Sequence, residues 1–559
     1  MRDLLQREVP ECYIHSRACN AFTCVSSFWD RFFEGKAWSD QTKRIWESYE
    51  NYKNETNPKN FPLNLAEQGL LEVPSLPSGQ FPTLIRKEND LPLRGKISLS
   101  SNIRGRKTRF IQLATYVREI FNQQPVRRFV HGFCVFDKVI EFWLIDRTGA
   151  YSSGFISIKN DEQVLVRAIC SYLLMSDEEV GLDTTIREVD GQPMITIDDG
   201  EPGQTREIEI NPKPIIRPEK LISCGTTCYR SVDEKFLVKY SWHRVHGKSE
   251  IDLLKEALQV RGVINLVASE IIHKRSDVWE DLSAFIPKEW LQMEHEKTSK
   301  DSGEEETDGY GALDEYEMTR AVLSPYGRPL NSCKSVLQFL IIIRDALMGH
   351  RGLFNKKIIH SDISEDNIII VTPTEDDRSR GMLIDLDLSI SDYDTCKTSI
   401  REYPMFTIKF MAIEPLKIAA KNRTERDSNF NSTYLHDLES FFYVFITGCV
   451  EYGRDRSIPF HNLDSWCTEN MDDNLKNKLD KIESNFKSFI NFKFSSSFVD
   501  VKNLALELHR LLFGNTRYCH EYSRDSNLMY TRMMMAFNRT IGQIEAGKIP
   551  NRMWKIETD

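Results

Sequence analysis

Asp362 and Asn367 lie five positions apart in the run His360-Ser361-Asp362-Ile363-Ser364-Glu365-Asp366-Asn367. Ile358 and Ile359 precede the run, and Ile368, Ile369 and Ile370 follow it. It therefore reads as a polar loop between two short apolar strands. Transfer of a phosphoryl group asks for a carboxylate that orients a hydroxyl and an amide oxygen that holds a divalent cation nearby. A second carboxylate comes soon after. Thr372 to Gly381 is a polar stretch, Met382-Leu383-Ile384 return as a strand, and Asp385-Leu386-Asp387 end it. Antiparallel pairing of the two strands would set Asn367 beside Asp385, two oxygen ligands for one cation.

These groups need a nucleotide site and a scaffold. Lys239 sits in the β-prone run Phe236-Leu237-Val238-Lys239-Tyr240. A lysine leaving such a strand can meet the α- and β-phosphates as a point charge. Just upstream, Gly225 takes the middle place of a G-x-G-x-x-G pattern whose outer places hold Ser223 and Cys228. A helix is expected from about Lys248 to Gln259. Glu250 opens it and is a candidate partner for Lys239; Glu256 competes, but Leu253, Leu254 and Ala257 give Glu250 the inward face. Downstream, Phe410-Met411-Ala412-Ile413-Glu414 closes the segment that starts at Asp385, and His436-Asp437-Leu438-Glu439 opens a strongly apolar helix. Phe339-Leu340-Ile341-Ile342-Ile343, broken by Arg344 and Asp345, reads as a buried helix beneath the catalytic loop.

On these residues the chain resembles the fungal-type protein kinase family, a divergent branch of the eukaryotic protein kinase fold. His360 to Asn367 matches H-R-D-L-x-x-x-N except at Ser361 and Ile363, and Ala412-Ile413-Glu414 is similar to A-P-E. The resemblance extends upstream through Arg128 to Phe133, Ile145 to Ala150 and Met175 to Asp183. It implies an α+β, two-lobed protein-kinase-like fold carrying an N-terminal mixed α+β extension. It also implies ATP-dependent phosphorylation of serine or threonine in a protein substrate, with ATP and Mg²⁺ as cofactors. Asp362 would be the catalytic residue. Lys239, Glu250 and Gly225 would serve the nucleotide, Asn367 and Asp385 the metal, and Asp437 would fix the backbone of the catalytic loop.

Three positions depart from the family pattern. Ser361 stands where an arginine often grips an activation-segment phosphate, so a phosphate on Thr395, Thr398 or Ser399 would lack that partner. Ser364 replaces a lysine near the γ-phosphate, and Asp387 replaces the glycine of D-F-G. Two other functions fit parts of the pattern. The eroded glycine loop suits a nucleotide-binding pseudokinase that acts as an adaptor. Small-molecule kinases of the aminoglycoside and choline type share H-x-D-x-x-x-x-N, but lack a segment like Phe410 to Glu414.

A chain of 559 residues is too long for one domain. A helical segment is expected at 1–60, with Trp29, Phe32, Phe33 and Trp38 in its core, and an extended linker at 61–103. A small α+β module follows at 104–211, with a meander from Arg127 to Ile158 and a hairpin turn at Asp190-Gly191. The kinase N-lobe takes 212–323, with an acidic insertion at 294–317 expected to be disordered, and the C-lobe takes 324–559, with an insertion around 455–498. The basic run Arg104 to Arg109 reads as a solvated loop ahead of a helix ending near Phe121. A net charge of −10 argues against nucleic acid as a partner. No window of about 18 apolar residues exists, so no membrane span is expected. The twelve scattered cysteines fit a reducing compartment, and Met1-Arg2-Asp3-Leu4-Leu5 lacks a secretory core, so the expected location is intracellular, in cytoplasm or nucleus. His243 and His246 read as turn residues rather than zinc ligands, and no segment specifies an oligomeric state.

Overall fold

The computed structural model describes residues 20–22, 28–55, 103–136, 138–198, 204–218, 220–221, 223–245, 248–278, 315–375, 377–391, 407–421, 432–454, 463–468, 470–514 and 525–554. The expected linker before 103, the acidic insertion before 315, His246, and Thr395, Thr398 and Ser399 lie outside these residues. Two compact units form: residues 1–232, 238–246 and 270–320 make the first, and 233–237, 247–269 and 321–559 the second.

The first unit opens with β1 (Asn20–Phe22), α1 (Phe28–Phe33), α2 (Ser39–Glu55) and α3 (Ile103–Gln123). The meander follows as β2 (Phe129–Phe136), β3 (Val139–Asp146) and β4 (Gly149–Ser157), then α4 (Glu162–Leu174). The sheet order is β1-β4-β3-β2, and β3 is buried on both faces. Phe110, Val117, Phe121 and Trp143 fill one core of this module, and Phe28, Phe33, Phe142 and Tyr151 fill another. The basic run lies inside α3 rather than ahead of it. Arginine and lysine are good helix formers, and one glycine is too small a penalty to stop the helix.

A second small sheet consists of β5 (Ile186–Val189), β6 (Gln192–Asp198) and β7 (Thr205–Glu209). Its first turn has positive φ at both Asp190 (52°) and Gly191 (79°), the geometry that a two-residue hairpin with the right twist requires. Burial pushes the His131 and His273 imidazoles of this unit down to about 4. The unfolded chain takes up these protons once the pH falls below about 6.5 while the folded unit does not. Stability is therefore expected to drop between pH 7 and pH 5, seen as a falling Tm; a flat Tm across that window would contradict it.

A four-stranded sheet, in the order β10-β11-β9-β8, is built from β8 (Thr227–Arg230), β9 (Leu237–Arg244), β10 (Asn265–Lys274) and β11 (Tyr316–Ser324). Between β9 and β10 runs α5 (Glu250–Glu256), started by a capping box in which Ser249 and Asp252 satisfy each other's backbone N–H.

The second unit continues with β12 (Arg328–Pro329), α6 (Val336–Asn355), β13 (Ile358–Ile359), β14 (Ile368–Ile370), β15 (Gly381–Leu383) and β16 (Ile390–Ser391). Then come α7 (Ile413–Lys421), α8 (Tyr434–Glu451), α9 (Met471–Leu479), α10 (Phe486–Lys493), α11 (Lys502–Phe513) and α12 (Ser526–Glu545). Helix α8 is buried almost throughout, as expected of a helix apolar on all sides. Phe339 to Ile343 are buried in α6. Gly381 lets β15 touch this helix, since an added Cβ would overlap the Ile342 carbonyl oxygen. That close approach fixes the strand that leads to Asp385.

Candidate functional site

Strands β14 and β15 pair antiparallel, with Ile368 opposite Leu383 and Ile370 opposite Gly381. One step beyond the ladder, the Ile384 N–H donates to the Asn367 carbonyl (3.1 Å), which places Asp385 directly past Asn367's partner. The Asn367 Nδ2 donates to both the Asp362 carbonyl and Asp362 Oδ2, each at 2.9 Å. Its amide nitrogen is used in both bonds, so Oδ1 is the atom available to a cation. His360 joins the same group: its Nε2 donates to the Ile384 carbonyl (3.0 Å), and burial lowers its pKa. Hydrogen bonds thus tie the loop bearing Asp362 and Asn367 to the turn bearing Asp385.

That turn is backbone-strained. Asp385 has φ +67° and Ser361 has φ +63°, a region that side-chain-bearing residues rarely adopt. The turn is held from outside by Glu250, whose Oε1 accepts from the Leu386 N–H (3.2 Å). Glu250, Asp385 and Asp387 each offer a carboxylate oxygen, all within 4.8 Å of one another. Carboxylate oxygens gathered this closely are the hard donors that magnesium takes, so these residues fit that ion. Glu250 therefore braces the aspartate turn, a role its sequence pairing with Lys239 does not suggest. Lys239 lies buried in β9, in the first unit. Gly225, also in the first unit, has φ +61°, and a Cβ there would lie 3.2 Å from Trp242 and 3.5 Å from Arg147.

The loop's support comes from below. The Asp437 Oδ2 accepts from the Ser361 N–H (3.1 Å) and from His350 Nε2 (2.7 Å), and the Tyr530 hydroxyl sits 2.7 Å from His350 Nδ1. All three side chains are buried. Burial alone would raise the Asp437 pKa, but the His350 bond, His360 and the Ser361 N–H outweigh it and hold the carboxyl below its usual range. The Asp437 position was legible in the sequence; His350 and Tyr530 were not, since neither belongs to a local pattern. Ser361, Asp362, Met411, Ser432, His436 and Ser440 border a cavity of about 20 Å³, room for a single water rather than a side chain.

The segment ending at Glu414 is anchored by α8. Glu439 Oε1 accepts from the Ile413 N–H (2.7 Å), and His436 Nε2 donates to Glu414 Oε2 (3.0 Å), a bond that holds the Glu414 carboxyl below its usual range.

The model of the family described as fungal protein kinase matches residues 89–449, well over half of the chain. The chain belongs to the fungal protein kinase family. As a fungal protein kinase it carries the α+β kinase fold, and its family is one of phosphotransferases that act on proteins. Among solved structures, that of vaccinia related kinase 3 matches with a TM-score of 0.35 and 10% identity, over 65% of this chain and 95% of that one. No curated protein matches. The match runs back to residue 89, so it includes the module built on β2, β3 and β4. Among the described residues, no helix of this fungal protein kinase is long and apolar enough to cross a membrane.

Proposed function

We propose that this chain is an ATP-dependent protein serine/threonine kinase using Mg²⁺. The observation that carries this is the bonding of Asn367 to Asp362 on one side and to the strand ending at Asp385 on the other. Magnesium, when bound, would neutralise charge on the phosphates. Asn367 Oδ1 and the carboxylates of Asp385 and Asp387 would hold it. Asp362 accepts the hydrogen bond of the incoming hydroxyl and takes its proton late, because the transition state is loose. Lys239 supplies a fixed charge for the α- and β-phosphates in this reading, and Gly225 leaves the loop backbone open to them. The expected location is intracellular, in keeping with cysteines scattered along the sequence.

The test is radiolabel transfer from ATP to a generic basic protein, run beside a thermal shift with ATP and magnesium. Transfer supports the kinase. A thermal shift without transfer supports a nucleotide-binding adaptor, the second reading. Cys228 favours that second reading, since it is buried at the place of an outer glycine.

Ser361 brings a further expectation. Its hydroxyl reaches Ser432 Oγ (3.4 Å), and no cation stands at this position to meet a segment phosphate. Alanine at Thr395, Thr398 and Ser399 together is expected to leave transfer within about twofold of wild type, since no phosphate-to-arginine bond is lost. A collapse of activity in that variant would show that the segment is switched by phosphorylation after all.

A further inference from the structure

Lys478 is fully buried, yet carries an ammonium group on a helix that no catalytic motif includes. Its Nζ donates to three backbone carbonyls in one short stretch: Met411 (2.7 Å), Lys409 (3.0 Å) and Ile408 (3.4 Å). Two rings enclose the same nitrogen, Tyr443 at 4.2 Å and Trp466 at 5.5 Å from their centroids. The stretch it grips runs straight into Ala412-Ile413-Glu414. Tyr443 links the two anchors, because its hydroxyl donates to Glu439 Oε1 (2.6 Å), the same oxygen that accepts from the Ile413 N–H. Lys478 thus holds the carbonyls of Ile408, Lys409 and Met411, and Glu439 the Ile413 N–H.

The rest of α9 is shaped to the same end. Met471 and Leu475 pack against Ile408, Met411 and Leu416. With Lys478 they follow the i, i+4, i+7 spacing of one helix face. A buried ammonium is costly unless its donors are all used. Here three donors meet three carbonyls, and the aromatic faces add a cation–π contribution. Burial still pulls the Lys478 pKa down to about 7, with Glu439 opposing the fall. A methionine would fill this space without that cost, so the charge marks a task other than packing.

We propose that Lys478 is a positioning residue that anchors the C-terminal end of the segment on which a protein substrate would rest. The anchor takes the place of a phosphate-dependent one. It rests on the kinase reading above for its consequence in catalysis, but not for its structure. Its ammonium meets the carbonyls of Ile408, Lys409 and Met411, so it acts through residues 408–414.

The test uses the full chain with Lys478→Met and Lys478→Gln. Folding is checked by near-UV circular dichroism, and nucleotide binding by the ATP–magnesium thermal shift. In Lys478→Met, amide exchange in peptides spanning 407–414 is expected to speed up about tenfold or more, as the local opening cost falls. KM for a basic protein substrate should rise about tenfold while KM for ATP stays within about twofold, a split that general unfolding would not produce. Lys478→Gln, with two donors, should fall between the two. Unchanged exchange at 407–414, or equal rises in both KM values, would overturn the proposal. Should Lys478→Met fail to fold, Lys478→Gln decides by the same readouts. Should wild type transfer no phosphate at all, the kinase reading falls, and the exchange measurement alone still decides whether Lys478 holds the segment.

Discussion

Asp362→Asn is expected to lower phosphate transfer by about 10²- to 10⁴-fold, the range for loss of a positioned acid–base group. Asparagine keeps the shape of the side chain and can still pair with Asn367 after an amide flip, so the fold should survive. Only the capacity to accept the hydroxyl proton is lost. The measurement is kcat for a basic protein substrate, with ATP affinity followed separately by thermal shift. Affinity should stay near wild type, since no phosphate contact is assigned to Asp362. Transfer within a few-fold of wild type would remove Asp362 from the chemistry and overturn its assignment as the catalytic residue.

Asp437→Ala should destabilise the second unit by about 3–5 kcal/mol, the usual result of removing one partner from a buried ionic hydrogen bond. The change strands His350 Nε2 and the Ser361 N–H, both of which donate to the same carboxylate oxygen. Ser361 is held at positive φ partly by that bond, so relaxation of the loop should follow and transfer should fall too. The sign with pH follows from the lowered Asp437 pKa. A carboxylate with a folded pKa below its unfolded value of about 3.9 adds stability above that value and loses it as pH falls through the folded one. The gap between wild type and Asp437→Ala should therefore be constant near neutrality and shrink only in strong acid. Urea unfolding at pH 7 and at pH 3 measures it; a gap that is absent at pH 7 would mean that Asp437 is only a helix N-terminal acid.

The strands around the catalytic loop were legible because short apolar runs bounded by polar residues leave few alternatives. The hairpin at Asp190-Gly191 was legible for a similar reason, since few other residues accept positive φ twice in succession. That Glu250 rather than Glu256 turns inward could be read from the apolar spacing of its helix. Its bond to the Leu386 N–H could not, because it spans 136 positions and depends on how the two segments pack. The same holds for Lys478. A lysine between Asn477 and Leu479 looks like any solvated helix residue until three carbonyls and two rings close over it. The basic run at Arg104 is the opposite case, because its charge suits a solvated loop and a helix equally well, and it forms a helix.

Arg147, on the N-terminal module, donates through Nη1 to the carbonyls of Lys220 (2.5 Å) and Leu221 (3.2 Å) and stacks over Phe121 (4.3 Å). Leu221 itself is buried in the core of that module. The chain just ahead of Gly225 is thus moored to residues far upstream, not left as a free flap. A protein trimmed at Pro212, the natural choice for a minimal kinase, would lose that mooring along with nearly all of the core beside it, where only Leu221 would remain. The earlier residues are better regarded as a built-in splint for the loop at Gly225 than as an appended domain.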